Sequence, residues 1–124
     1  MALVTLLKSK IHRAVVQRIA LDYNGSVSID GELMRAAGLY EHERVLIANV
    51  NNGQRFETYC LASAEKGLVC LNGAAARLAA VGDLVIIMAF AQMEEREARN
   101  FQPRVVKVDG LNRPVPLEPR SMVV

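Results

Sequence analysis

At 124 residues, 52% of them apolar, the chain suffices for one domain that buries roughly two-thirds of its unfolded surface. A net charge of +2, scattered along the chain, argues against a nucleic-acid footprint, and 5% aromatic residues with no Trp leave Val, Ile, Leu and Ala to fill the core. The longest apolar run, residues 84–91, is too short to cross a bilayer as a helix, and the apolar start at residues 1–7 is too short for a signal-peptide core, so a cytoplasmic protein is expected.

Taken in chain order, residues 4–16 are rich in β-branched side chains and read as a strand. Within it Lys8, Lys10, His12 and Arg13 form the densest basic stretch, the pattern of a solvated strand edge. Next comes Leu21-Asp22-Tyr23-Asn24-Gly25-Ser26. A serine directly after glycine can attack the carbonyl before it, and a residue without Cβ lets the chain enter the strained turn this needs. Alone, the dipeptide is ordinary loop chemistry. Asp30 can cap a short helix through residues 33–37, ended by Gly38. Residues 44–50 and 54–61 read as strands, with Asn52-Gly53 between them as a two-residue type I′ hairpin. Residues 68–71, 84–90 and 104–108 read as further short strands. Residues 93–100 suggest a surface helix stopped before Pro103, with Glu94, Glu95 and Glu97 on its solvated face. Residues 110–124, with Pro114, Pro116 and Pro119, suggest an extended C-terminal tail. Many short strands and few short helices point to a mainly β barrel, one domain over residues 1–124.

Several chemistries lack their residues. Nine residues separate Cys60 and Cys70 and there is no second pair, which is no metal-ligand pattern; two free buried thiols suit a reducing compartment. There is no phosphate-binding glycine loop, and with His12 and His42 the only histidines no His-rich metal site is possible. The polar residues that remain, Lys10, His12, Tyr23, Arg55, Thr58, Tyr59 and Asn72, lie on separate segments and suit a small acid as ligand. A small-residue loop at Gly73, Ala74 and Ala75 would let main-chain N–H groups approach it closely.

Five blocks in order carry a resemblance: Lys10-x-His12-Arg13, Tyr23-x-Gly25-Ser26, Asn51-Asn52-Gly53-x-Arg55-Phe56-x-Thr58-Tyr59, Asn72-Gly73-Ala74-Ala75-Ala76 and Val81-Gly82-Asp83. From about Leu6 to Phe101 the chain resembles the bacterial aspartate 1-decarboxylases. The resemblance implies a double-psi β-barrel that assembles as a homotetramer with active sites between subunits. It implies self-cleavage between Gly25 and Ser26, which turns Ser26 into a covalent pyruvoyl group that forms a Schiff base with the substrate, so that neither pyridoxal phosphate nor a metal is needed. L-Aspartate would be decarboxylated to β-alanine and CO2 for pantothenate and coenzyme A biosynthesis. By the same resemblance Tyr59 is the proton donor and Thr58 stabilises the oxyanion of self-processing. Arg55, Thr58, Gly73, Ala74, Ala75 and Lys10 would hold the substrate, with His12, Tyr23 and Asn72 in support. A maturation partner is compatible with this picture; a nucleic acid or membrane is not expected.

The residues alone leave two other readings: an uncleaved barrel that binds a small anion or a protein, and a serine hydrolase lacking a coherent triad. One tension also stands. In a regular strand Arg55 and Tyr59 share a face and Thr58 points to the other. All three serve one site only if the strand bulges or a neighbouring subunit supplies part of it.

Overall fold

The computed structural model describes residues 2–116. Nine strands carry the fold: β1 (Leu3–Val15), β2 (Arg18–Ala20), β3 (Ser26–Asp30), β4 (Arg44–Asn49), β5 (Arg55–Ser63), β6 (Val69–Asn72), β7 (Leu84–Glu94), β8 (Arg104–Val108) and β9 (Pro114–Val115). Helix α1 (Gly31–Ala37) follows β3, a 3-10 turn (Gly73–Leu78) follows β6, and a single helical turn, α2 (Glu95–Ala98), follows β7.

The strands pair in the order β2-β6-β3-β5-β4-β7-β1-β8-β9. Laid flat, eight inter-strand gaps would span about 38 Å. Yet one buried cluster contains Val27 and Ile29 of β3, Leu71 of β6, Ile47 of β4, Ile87 of β7, Ile11 of β1 and Val106 of β8. The sheet must therefore curl around it. Covalent connectivity demands the same closure, because only Val16 and Gln17 separate β1 from β2, whose places in the sheet are six strands apart. The Val16 N–H donates to the Asp83 carbonyl and the Gln17 N–H to that of Val69, which stitches the two sides together. Each fully buried Ile or Leu in this core contributes about 1.5–3 kcal/mol. Five strands, β1, β3, β5, β6 and β8, each have one parallel and one antiparallel neighbour, so the sheet is mixed. The fold is mainly β, a curled nine-stranded mixed sheet around one core with a few short helices among the described residues.

Local chemistry explains the elements. Asp30 caps α1 by accepting from the Glu32 N–H at 2.9 Å, and Gly38, at φ +73°, closes it. In β1 the register passes from Ile11 opposite Ile87 to Ala14 opposite Val85, so His12 and Arg13 share one β7 position. At this bulge Arg13 takes φ +62°, and the strand bends locally.

Three expectations change. The β4–β5 connection is a five-residue loop, 50–54, rather than a two-residue type I′ turn. Only Gly53 has positive φ there, because the Asn51 and Gln54 N–H groups are taken by the Asn49 and Asn52 side chains. The helix expected over 93–100 shrinks to α2, since Met93 and Glu94 extend β7 by pairing with Val4 and Leu3. The expected tail is described only to Pro116, and that part folds onto the body. β9 pairs with β8, and Asn112 is fully buried, its side chain accepting from Val15 N at 2.7 Å and donating to Val15 O and Gly67 O. Residues 117–124 lie outside the described region.

Candidate active site around Ser26

Ser26 opens β3 and is only 1% exposed. Val27 and Ile29 point into the core, so Ser26 and Ser28 stand on the outer face, where Ser26 pairs with Asn72 across to β6. The Asn72 amide donates to Ser26 Oγ at 2.9 Å and to Ser28 Oγ at 3.0 Å. Ser26 Oγ in turn donates to the Asn24 carbonyl at 3.2 Å. The hydroxyl is thus turned back along the chain, over the peptide that carries Gly25.

A second contact fixes this turn. Gly73, at φ +68°, lies so close that a Cβ there would stand 2.7 Å from Gly25 Cα and N and 2.8 Å from the Tyr23 carbonyl. The strain expected at Gly25 itself is absent. Its φ is not among the positive values, and a Cβ there would meet nothing within 4 Å. The steric demand for glycine falls instead on Gly73, the wall behind the turn.

On β5 the pairing with β4 runs unbroken from Ala48 opposite Arg55 to Arg44 opposite Tyr59. No bulge interrupts it. Arg55, Glu57 and Tyr59 therefore face outward, while Thr58 shares the opposite face with Phe56 and buried Cys60. β3 and β5 are parallel with Val27 opposite Cys60, so Ser26 and Tyr59 occupy the preceding positions of the two strands. The Tyr59 ring lies 6.4 Å from that of His42. Among the described residues Arg55 and Lys10 have no ion-pair partner, the strand's exposed pair being Arg44 with Glu57. Tyr23 is 73% exposed.

Lys10 and His12 are not brought to Ser26. They lie on β1, four places from β3 in the sheet, and flank the inward-pointing Ile11. Burial, then the charges of Lys10, Arg13 and Lys107, lowers the His12 pKa from its ordinary 6.5. Its Nδ1 is buried without a hydrogen-bond partner among the described residues. No hydrogen bond joins Ser26 to a histidine among those residues, so the serine-hydrolase arrangement does not form. The same residues contain no cluster of three His, Cys, Asp or Glu able to hold a metal, and no helix long and apolar enough to cross a membrane.

The family described as Aspartate decarboxylase matches residues 2–115. The chain belongs to the aspartate decarboxylase family. As a family member it is a decarboxylase, and it is 62% identical over 109 residues to the aspartate 1-decarboxylase of Campylobacter jejuni, covering 88% of this chain and 86% of that protein. The aspartate 1-decarboxylase of Caldicellulosiruptor bescii is 52% identical over 95% of this chain and 93% of its own. That of Lactiplantibacillus plantarum is 55% identical over 90% and 86%. Among solved structures, the computationally designed msDPBB_sym2 protein aligns with 68% of this chain and 96% of its own, with 25% identity and a TM-score of 0.45.

Sequence reasoning missed Asn24, Ser28 and Cys70 in this decarboxylase. Ser28 and Cys70 stand two residues from Ser26 and Asn72 on paired strands, a period-2 signal that becomes visible only once the β3–β6 register is known.

Proposed function

We propose that the chain cleaves itself between Gly25 and Ser26 and then decarboxylates L-aspartate to β-alanine and CO2. The observation that carries this reading is the Ser26 hydroxyl, buried, turned back over its own N-terminal peptide and held by Asn72. Attack of Oγ on the Gly25 carbonyl carbon, with departure of the Ser26 nitrogen, converts the amide to an ester. Elimination then frees the Gly25 carboxylate and leaves a dehydroalanine at residue 26. Addition of water and loss of ammonia give a ketone, the pyruvoyl group. In this scheme the Asn72 N–H stabilises charge building on Oγ. Thr58 serves the Gly25 oxyanion, a role supported by the family resemblance and worth about 3–4 kcal/mol for donors of this kind.

The residues fit such a group. Position 26 ends up at a strand start on the outer face, flanked by Tyr59 and by the small-residue turn at Gly73, Ala74 and Ala75. Once formed, the group supplies an electron sink for the departing carboxylate. Arg55 offers a planar fork to a substrate carboxylate, with Lys10 as a second cation. Tyr59, through its phenolic O–H, returns a proton to the carbon that has lost CO2. His12 and Tyr23 support the surrounding wall.

The unbulged β5 and the distance of Lys10 from Ser26 support a site completed by a neighbouring copy within a homotetramer. So does the outer face of the barrel, where Leu46 and Ala48 of β4 lie beside Met88 and Ile86 of β7, with Lys10 next to Met88. We place the reaction in the cytoplasm, a compartment compatible with two free thiols, with β-alanine feeding pantothenate synthesis.

Denaturing mass spectrometry tests the core of this reading. Two fragments are expected, residues 1–25 and a fragment from residue 26 lacking a free amine, along with CO2 release from labelled L-aspartate exceeding that from L-glutamate. Ser26→Ala should stay whole and inactive. A wild-type chain that decarboxylates aspartate while permanently intact would refute the scheme. Sedimentation gives the assembly, and cleavage of the purified chain alone shows whether a maturation partner is required.

A further inference from the structure

The Asn72 amide faces two hydroxyls, those of Ser26 and Ser28, and a hydroxyl can donate or accept. The serines alone therefore do not decide which end of the amide points toward them. The third neighbour does. Cys70 Sγ lies 3.3 Å from Asn72 Oδ1, 4% exposed, on the same face of β6 and directly opposite Ser28. A thiol is a weak donor but a poorer partner for an N–H group, so it favours the carbonyl end. That leaves both N–H groups for Ser26 and Ser28.

We propose that Cys70 is a positioning residue for self-processing: its S–H group holds the Asn72 carbonyl, so that the amide presents a hydrogen-bond donor to the attacking Ser26 oxygen. With the amide reversed, its oxygen would accept from Ser26 and hold the hydroxyl proton in place, opposing the attack. Burial raises the Cys70 pKa, which keeps the thiol in its donating form. The proposal rests on the self-cleavage reading and concerns its rate rather than its occurrence.

The test is a time course of Gly25-Ser26 cleavage, by denaturing mass spectrometry, in freshly synthesised full-length wild type, Cys70→Ser, Cys70→Val and Cys70→Ala. A serine keeps a donor at this position; valine keeps the volume without one. Cys70→Val and Cys70→Ala should cleave about three- to tenfold more slowly, the worth of one neutral hydrogen bond. Cys70→Ser should match or exceed wild type. Cleavage of Cys70→Val and Cys70→Ala at the wild-type rate would overturn the proposal, as would a Cys70→Ser chain as slow as they are. If valine does not fold, which thermal melting reports, the serine–alanine pair decides alone. A wild type that never cleaves would instead bring down the underlying reading, and the proposal with it.

Discussion

Replacing Gly73 with alanine tests whether the wall behind the scissile turn sets its geometry. An added Cβ would sit 2.7 Å from two Gly25 atoms and 2.8 Å from the Tyr23 carbonyl. Comfortable carbon contacts begin near 3.5 Å, so the turn must retreat by on the order of 1 Å. The left-handed backbone at φ +68° adds about 1–2 kcal/mol for any residue with a Cβ. Together these should destabilise the fold by about 2–5 kcal/mol. The functional effect is separate. The carbonyl to be attacked is bonded to Gly25 Cα, and a 1 Å displacement of reacting atoms can cost about 100-fold in rate. Gly53→Ala is the matched control: its φ is +76°, yet a Cβ there meets nothing within 4 Å. It should lose the backbone increment alone and cleave normally. The assay pairs thermal melting with the rate at which the 124-residue chain disappears. Cleavage of Gly73→Ala at the Gly53→Ala rate would refute the reasoning.

Asn112→Ala removes three hydrogen bonds and leaves the Val15 N–H buried without its acceptor; a loss of about 2–4 kcal/mol, or about 4 °C of Tm per kcal/mol, is expected in thermal melts. An unchanged Tm would mean that residues 109–116 contribute nothing to the body. His12 is held below its ordinary pKa, so the unfolded chain binds the proton more readily. Stability contributed by the neutral ring is therefore complete above pH 6.5 and declines as pH falls below it. His12→Gln should flatten the Tm profile in that window, and an identical slope would contradict the assignment. Burial pushes the Cys60 and Cys70 thiols up, so iodoacetamide should label neither in the native protein at pH 7.5 but both after unfolding. Rapid native labelling would show that the thiols are reachable.

The long strands were legible because β-branched runs and alternation report a half-buried sheet directly, as in β1, β4, β5 and β7. Asp30 and Gly38 likewise marked both ends of α1. What escaped depends on pairing. β2 is only Arg18-Ile19-Ala20, and β3 begins at a serine that reads as a turn residue; both are strands because β6 lies between them. Glu94 belongs to a sequence suited to a helix, yet ladder bonds to Leu3 keep it extended. At the site, the family blocks drew attention to the Gly25-Ser26 dipeptide. The steric demand for glycine was not legible: it falls on Gly73, forty-eight positions away in the chain, and only the packing of the 3-10 turn against Gly25 reveals it.

The segment Cys70-Leu71-Asn72-Gly73 concentrates these demands. Leu71 is fully buried and locks β6 into the core, and its antiparallel partner is Val27, the residue after Ser26. That anchor sets the height at which Asn72 meets Ser26, and the next residue supplies the wall behind Gly25. A one-residue slip of β6 would turn Asn72 into the core and Leu71 onto the serine. The register that stabilises the barrel is thus the same one that aims the hydroxyl, and core changes at Leu71 should alter the rate of cleavage as well as the melting temperature. A smaller Leu71→Val side chain costs about 0.5–1.5 kcal/mol if it only loosens packing. Should it also slow cleavage beyond what Val69→Ala does at equal Tm, anchoring and aiming are one function. Equal rates at equal Tm would separate them.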